Sequence, residues 1–227
     1  GCLVSKKTKV DIIVTPAVTI LVGALLTVLT AKYIGAAASS IGNLIVWSTQ
    51  LHPFWMGILV SVVVGVALTL PISSAAICAA FGLVGLAGGA AVAGCCAQMV
   101  GFAVMSFKEN RWGGILSQGL GTSMLQMPNI IKNPKIWIPP TLASAITGPL
   151  STCLFKMEMN GAPVSSGMGT CGLVGQIGVI TGWLSPSEVA INHGANTISP
   201  TFFNWLGLIL ICFILPAVLT WLFAEIM

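Results

Sequence analysis

From Ile12 to Ala31 the chain runs for 20 residues without a charged side chain, between Asp11 and Lys32. A helix of that length rises about 30 Å, the thickness of the hydrocarbon core of a bilayer. The rest of the chain is nearly as poor in charge. Lys and Arg number 9 and Asp and Glu 5 among 227 residues, and 56% of the residues are hydrophobic. So few polar side chains do not cover the surface of a water-soluble fold. A mean hydropathy of +1.00 agrees, and the sequence predicts an all-α polytopic membrane protein embedded in the lipid bilayer. The net charge of +4 comes in small clusters between apolar runs, a pattern that orients membrane helices and excludes nucleic acid as a partner.

Three further spans follow from the spacing of charges and breakers: Phe54–Leu70, Ile136–Phe155 and Asn204–Phe223, the last with Pro216 as an expected kink. Between the first two spans, Ser39, Asn43 and Gln50 share one helical face and Ile41, Leu44 and Ile45 another, which predicts a separate interfacial helix ending at His52-Pro53. Residues 74–107 are too many for one crossing. Their glycines predict a broken helix or hairpin interrupted near Gly88-Gly89, whose freed backbone must be buried in protein. Residues 112–131 hold Gly113, Gly114, Gln118 and Gln126 and predict a cytoplasmic or re-entrant loop. On this arrangement Lys6, Lys7, Lys9, Lys108, Arg111, Lys132 and Lys135 all face the cytoplasm.

Seven cysteines match no metal spacing, and most read as small buried thiols; neither a metal nor a cofactor is expected. Gly167 to Gly172 formally matches a dinucleotide fingerprint, but no strand precedes it, so the match is rejected. No nucleophile elbow, His-Glu-x-x-His or phosphate-loop sequence occurs, and no catalytic residue is expected in this chain.

The densest information lies in residues 158–182. Glu158, Asn160-Gly161, Pro163, Ser165 and Ser166 interrupt an apolar region, which fits a re-entrant segment with exposed backbone ends and equally fits an extramembrane turn in which Glu158 pairs with Lys156. Gly169, Gly172, Gly175 and Gly178 then recur every three residues, with Gly182 after them, a strip that lets another backbone approach closely around the lone amide of Gln176. This strip favours the re-entrant segment followed by a glycine-rich helix. A second polar group, Asn192 to Thr197, reads as an aqueous loop; the less favoured alternative is that His193 reaches into a cavity.

Three stretches, Lys9 to Gly23, Met159 to Gln176 and Leu208 to Pro216, resemble the EIIC-like branch of bacterial phosphotransferase-system permeases, the membrane components that carry sugars inward. The resemblance covers most of the chain. Members of the family are longer at the N-terminus, so it implies that 1–227 is a single EIIC-like transmembrane domain from which N-terminal helices are missing. The chain departs from sugar-specific members in lacking a Gly-Ile-Thr-Glu string; Glu158 is its nearest counterpart. Phosphotransfer domains are not found within it either, so any phosphotransfer requires separate cytoplasmic EIIA- and EIIB-type proteins.

What the resemblance implies is a homodimeric permease in the bacterial inner membrane that translocates a small, sugar-like solute. A hydroxylated solute needs hydrogen-bonding side chains and a flat apolar surface. Glu158, Asn160, Ser165, Ser166 and Gln176, with a tryptophan such as Trp183, meet that need on paper. The other function class is a membrane-embedded ligand-sensing or regulatory protein that keeps the fold without phosphotransfer-coupled transport.

Overall fold

The computed structural model describes residues 11–227, and the basic cluster Lys6, Lys7 and Lys9 lies outside them. Among the described residues all regular elements are helical, and the single extended pairing is an isolated antiparallel bridge between Gly85 and Met159. The fold is all-α. The chain divides into two units, one up to Ile41 and one from Gly42 onward.

The first unit consists of most of α1, Asp11–Thr49. It was expected to stop near Ala31 and give way to an interfacial helix, but the helix is continuous. No proline lies between Pro16 and Pro53 to remove a backbone donor, so nothing stops α1 before the turn at Gln50–His52. Ile20, Leu21, Val22, Leu25, Leu26 and Val28 are all exposed on it, an apolar surface that runs around the helix and not along one stripe.

The second unit is built on α2 (Pro53–Thr69), α4 (Gly85–Met105) and α7 (Ile138–Pro149). Each starts where a helix can start: Pro53 occupies the first turn of α2, and Pro139-Pro140 the first turn of α7, positions whose N–H groups have no helical acceptor anyway. The three helices touch through glycine. A Cβ on Gly94 of α4 would collide with the carbonyl of Ser61 on α2, and one on Gly148 of α7 with the carbonyl of Gly57 on α2. Ser61 Oγ donates across the same contact to Ser144 O at 2.8 Å. With side chains that small, the backbones themselves form the interface.

Helix α4 lies at the centre. Most of its residues from Ala87 to Ala103 are buried, and it is short-chained throughout, with Ala, Gly and Cys predominating. The expected break at Gly88-Gly89 is not there. Those glycines sit inside α4 and admit neighbours: Gly88 faces Ser166 Oγ and Met159 Cβ, and Gly89 lies against the carbonyl of Met157. The interruption falls earlier, at residues 81–84 between α3 (Ser74–Ala80) and α4, where Gly82 at φ 59° and Gly85 at φ 66° supply the left-handed turns.

Residues 107–137, expected in part as a loop, form a chain of short helices. These are α5 (Phe107–Gly114), a π-helical turn Ile115–Gly121, a 3₁₀ turn Ser123–Gln126, α6 (Met127–Lys132) and a 3₁₀ turn Pro134–Trp137. Gln118, Gly119, Ser123 and Gln126 are buried there; Ser123 meets Thr69, Gln126 accepts from Asn129 and Gly119 O accepts from Thr170, whereas Gln118 Oε1 is buried without a partner. The chain ends in α10 (Phe202–Ile209), a π-helical turn Leu210–Ile214 and α11 (Leu215–Ile226). The kink expected at Pro216 is realised as that π turn, which accommodates the missing N–H by widening the helix one turn ahead of the proline.

Among the described residues two helical stretches, Gly85–Met105 and Phe202–Ile226, are long and apolar enough to cross a bilayer. They differ in surroundings. The first is 83% buried and the second 33% over its most apolar window, so the first is a core helix and the second a peripheral one.

Two expectations follow. Gly94→Ala should cost about 1–3 kcal/mol by overpacking, and Gly94→Leu should prevent accumulation of folded protein. Gly113→Ala, where a Cβ meets nothing within 4 Å, should move the melting temperature in detergent by no more than about 2 °C. Equal melting for all three would mean that α2 and α4 are not in backbone contact.

Candidate functional site

Helical hydrogen bonding ends at Phe155. Lys156 adopts φ 45°, and 156–173 contains no α-helix: only 3₁₀ turns at Pro163–Gly167 and Cys171–Leu173 precede α8 (Val174–Leu184). Pro163 cannot donate, and Gly169 and Gly172, both at φ 53°, turn the chain left-handed. Much of this irregular backbone is nevertheless buried, Met159 and Ser166 fully so. Buried peptide groups must find partners, and here those partners lie on other elements.

Met159 N donates to Gly85 O and Gly85 N to Met159 O, both at 3.0 Å. Ser187 N donates to Asn160 O at 2.9 Å. Ser166 Oγ donates to Leu83 O at 2.6 Å, Ser74 Oγ to Gly167 O at 2.7 Å and Thr170 Oγ1 to Gly119 O at 2.5 Å. Helix α8 then closes over the segment through its glycines. A Cβ on Gly175 would lie 2.5 Å from Gly169 O, one on Gly178 2.5 Å from Ser165 Cβ, and one on Gly182 2.6 Å from Gly161 N. The strip therefore packs against the segment that precedes it. Gly169 and Gly172 are the exceptions: a Cβ on Gly169 would meet Cys95 of α4, and one on Gly172 only Val174 Cγ2 at 3.8 Å, an ordinary contact, so that its positive φ alone requires glycine.

A cleft of about 510 Å³ opens where this segment meets the turn between α3 and α4. One wall is residues 81–85 with Glu158 and Asn160. The other is Val46 and Thr49 from the end of α1, with Ala190 and the turn 193–195 that follows α9 (Glu188–Asn192). The Ser187 side chain caps α9 by accepting from Ala190 N at 3.3 Å, and Gly194 at φ 85° ends it, which brings His193 to the cleft. Asn160 holds both walls: its carbonyl takes the Ser187 N–H, while its side-chain Nδ2 donates to Glu158 Oε2 at 2.9 Å. Glu158 is half-buried and Asn160 buried. The lining thus offers a carboxylate, an amide, an imidazole and the ring of Phe81. A cavity of this size with a few convergent polar groups has the features common to small-molecule sites and makes the cleft the candidate.

The five residues singled out in the sequence are divided. Glu158 and Asn160 line the cleft together, whereas Ser165, Ser166 and Gln176 do not. Ser165 is pressed against Gly178, and Ser166 is spent on Leu83 O. Gln176 Nε2 donates to Cys96 Sγ at 3.2 Å, and its Oε1 is buried without a partner. Glu158 forms no ion pair with Lys156; among the described residues the ion pair is Lys108–Glu225, at the surface. Trp183 is buried edge-to-face on Trp205 with ring centres 5.2 Å apart, so the flat apolar surface at the cleft is Phe81.

A second polar cluster gave no signal beyond a lone amide in an apolar run. Gln98, fully buried in α4, accepts through Oε1 from Trp137 Nε1 at 3.1 Å and from Thr69 Oγ1 at 3.3 Å, and donates to Thr141 Oγ1 at 3.2 Å; Thr69 also meets Ser123 Oγ at 3.0 Å. Three of the amide's four hydrogen-bonding positions are taken, and the cluster joins α2, α4 and α7.

A family model described as "Phosphotransferase system, EIIC" matches residues 1–227. No curated protein and no solved structure matches the chain. The family match spans the central helix, the irregular segment and the cleft alike, and the chain belongs to the phosphotransferase-system EIIC family.

Proposed function

We propose that this chain is a multi-pass component of the bacterial cytoplasmic membrane that translocates a small hydroxylated solute, a sugar, and that the cleft bearing Glu158 and Asn160 is where the solute binds. Family membership supplies the class of function, and the Asn160–Glu158 hydrogen bond at the cleft is the observation that carries the site. A carboxylate held by an amide is oriented before the solute arrives and keeps acceptor capacity for hydroxyl groups. Phe81 offers an apolar face for the carbon skeleton, and His193 supplies a further donor or acceptor from the opposite wall. Ser165, Ser166 and Gln176 act in this reading as supports of the segment.

The membrane assignment includes α1, α2, α4, α7 with its π-helical extension Leu150–Leu154, and Phe202–Ile226 as crossing elements. The exposed apolar side chains of α1 and α11, Leu25 and Trp221 among them, support contact with lipid or with a second copy of the chain. Family membership also implies phosphotransfer components of the same system as partners.

The test is solute binding by calorimetry and flux in proteoliposomes against a panel of hexoses and hexitols. Glu158→Ala and Asn160→Ala should each weaken binding at least about tenfold, the loss of one charge-assisted hydrogen bond, while Ser165→Ala binds as wild type. Full binding in both cleft variants would move the site elsewhere. Binding without flux would favour the ligand-sensing reading. Mass measurement in nanodiscs should give two chains per particle, and a monomer would count against the dimer.

A further inference from the structure

We propose that Glu158 sets the charge preference of the cleft, which takes neutral and cationic hydroxylated solutes, amino sugars among them, and turns away anionic ones. The inference rests on the reading of the cleft as a sugar site and adds which sugars enter it. The cleft carries one permanent charge and it is negative: among the described residues Glu158 lines it, and no Lys or Arg does. Lys156 is exposed two residues away and forms no ion pair with it. Asn160 donates to one carboxylate oxygen but brings no charge.

An anionic solute needs cations or a cradle of free N–H groups, and most N–H groups of the wall that might provide one are already committed. Gly82 N donates to Ala79 O, Leu83 N to Cys78 O and Gly85 N to Met159 O. The remaining positive pole is the N-terminus of α4, where Gly85 and Ala87 face the cleft. It amounts to about half a charge and lies beside the Glu158 carboxylate, whose full charge outweighs it. His193, on the opposite wall, is the one other titratable group of the lining. A solute ammonium group meets the reverse situation: the carboxylate retains lone pairs for it, and half-burial limits screening by solvent.

Binding at pH 7 and low salt is measured for glucose, galactose and mannose, each beside its 2-amino derivative and its uronate. For the hexose that binds, the uronate should bind at least about tenfold more weakly and the amino sugar several-fold more tightly. Raising the salt to 0.5 M should shrink both differences in the wild-type protein, which requires no variant to fold. In Glu158→Gln the uronate-to-hexose ratio should fall toward one, whatever the affinity for the hexose becomes. Thr49→Lys, a cation added on the opposite wall, should reverse the order of uronate and amino sugar. Equal binding of the three forms by wild-type protein overturns the charge preference and leaves the sugar site standing. Binding of none of the nine overturns both.

Discussion

Gly85 and Met159 exchange both of their backbone hydrogen bonds, and much of the second unit is arranged so that this pairing can exist inside an apolar body. The contact needs two non-helical backbones side by side, each with a free N–H and C=O. One is supplied by the turn that ends at the start of α4, the other by the irregular run after Phe155. Neither is shielded by its own side chains. Gly88, Gly89 and Gly178 give the room, since at each of them a Cβ would strike Met159, Met157 or Ser165. Ser166 and Ser74 then pin the run on either side through Leu83 O and Gly167 O. Lipid cannot satisfy peptide groups, so such a run persists only where protein surrounds it.

Much of this was legible in the sequence at the level of element type. Charge-free runs and proline positions foretold helices, and the Asn160-Gly161, Pro163 and Ser165-Ser166 cluster foretold an irregular segment followed by a glycine-rich helix. Two features misled for one physical reason: glycine has two uses. Gly88-Gly89 was read as a helix break, yet both residues are helical and serve close approach, while Gly82 and Gly85 perform the break through positive φ. Nothing in a single sequence says which use a glycine serves, because the answer lies in what faces it.

The site was legible in part. Glu158 and Asn160 are two apart in an irregular segment, so their side-chain contact is local and could be foreseen. Phe81, Thr49 and His193 come from elements far apart in the chain, and only the packing of α3, α1 and α9 brings them to one cleft. Ser166 and Gln176 are polar residues in an apolar setting, the pattern that marks binding groups. In the fold they answer to buried partners, Leu83 O and Cys96, which sequence reasoning cannot distinguish from a ligand.

Asn160 joins the two walls of the cleft through opposite ends of one residue, its amide on Glu158 and its carbonyl on the N–H of Ser187, which caps α9. The path from the carboxylate to the turn bearing His193 is therefore two hydrogen bonds and one short helix long. The carboxylate and the short helix that leads to the imidazole are thus tied to one buried residue.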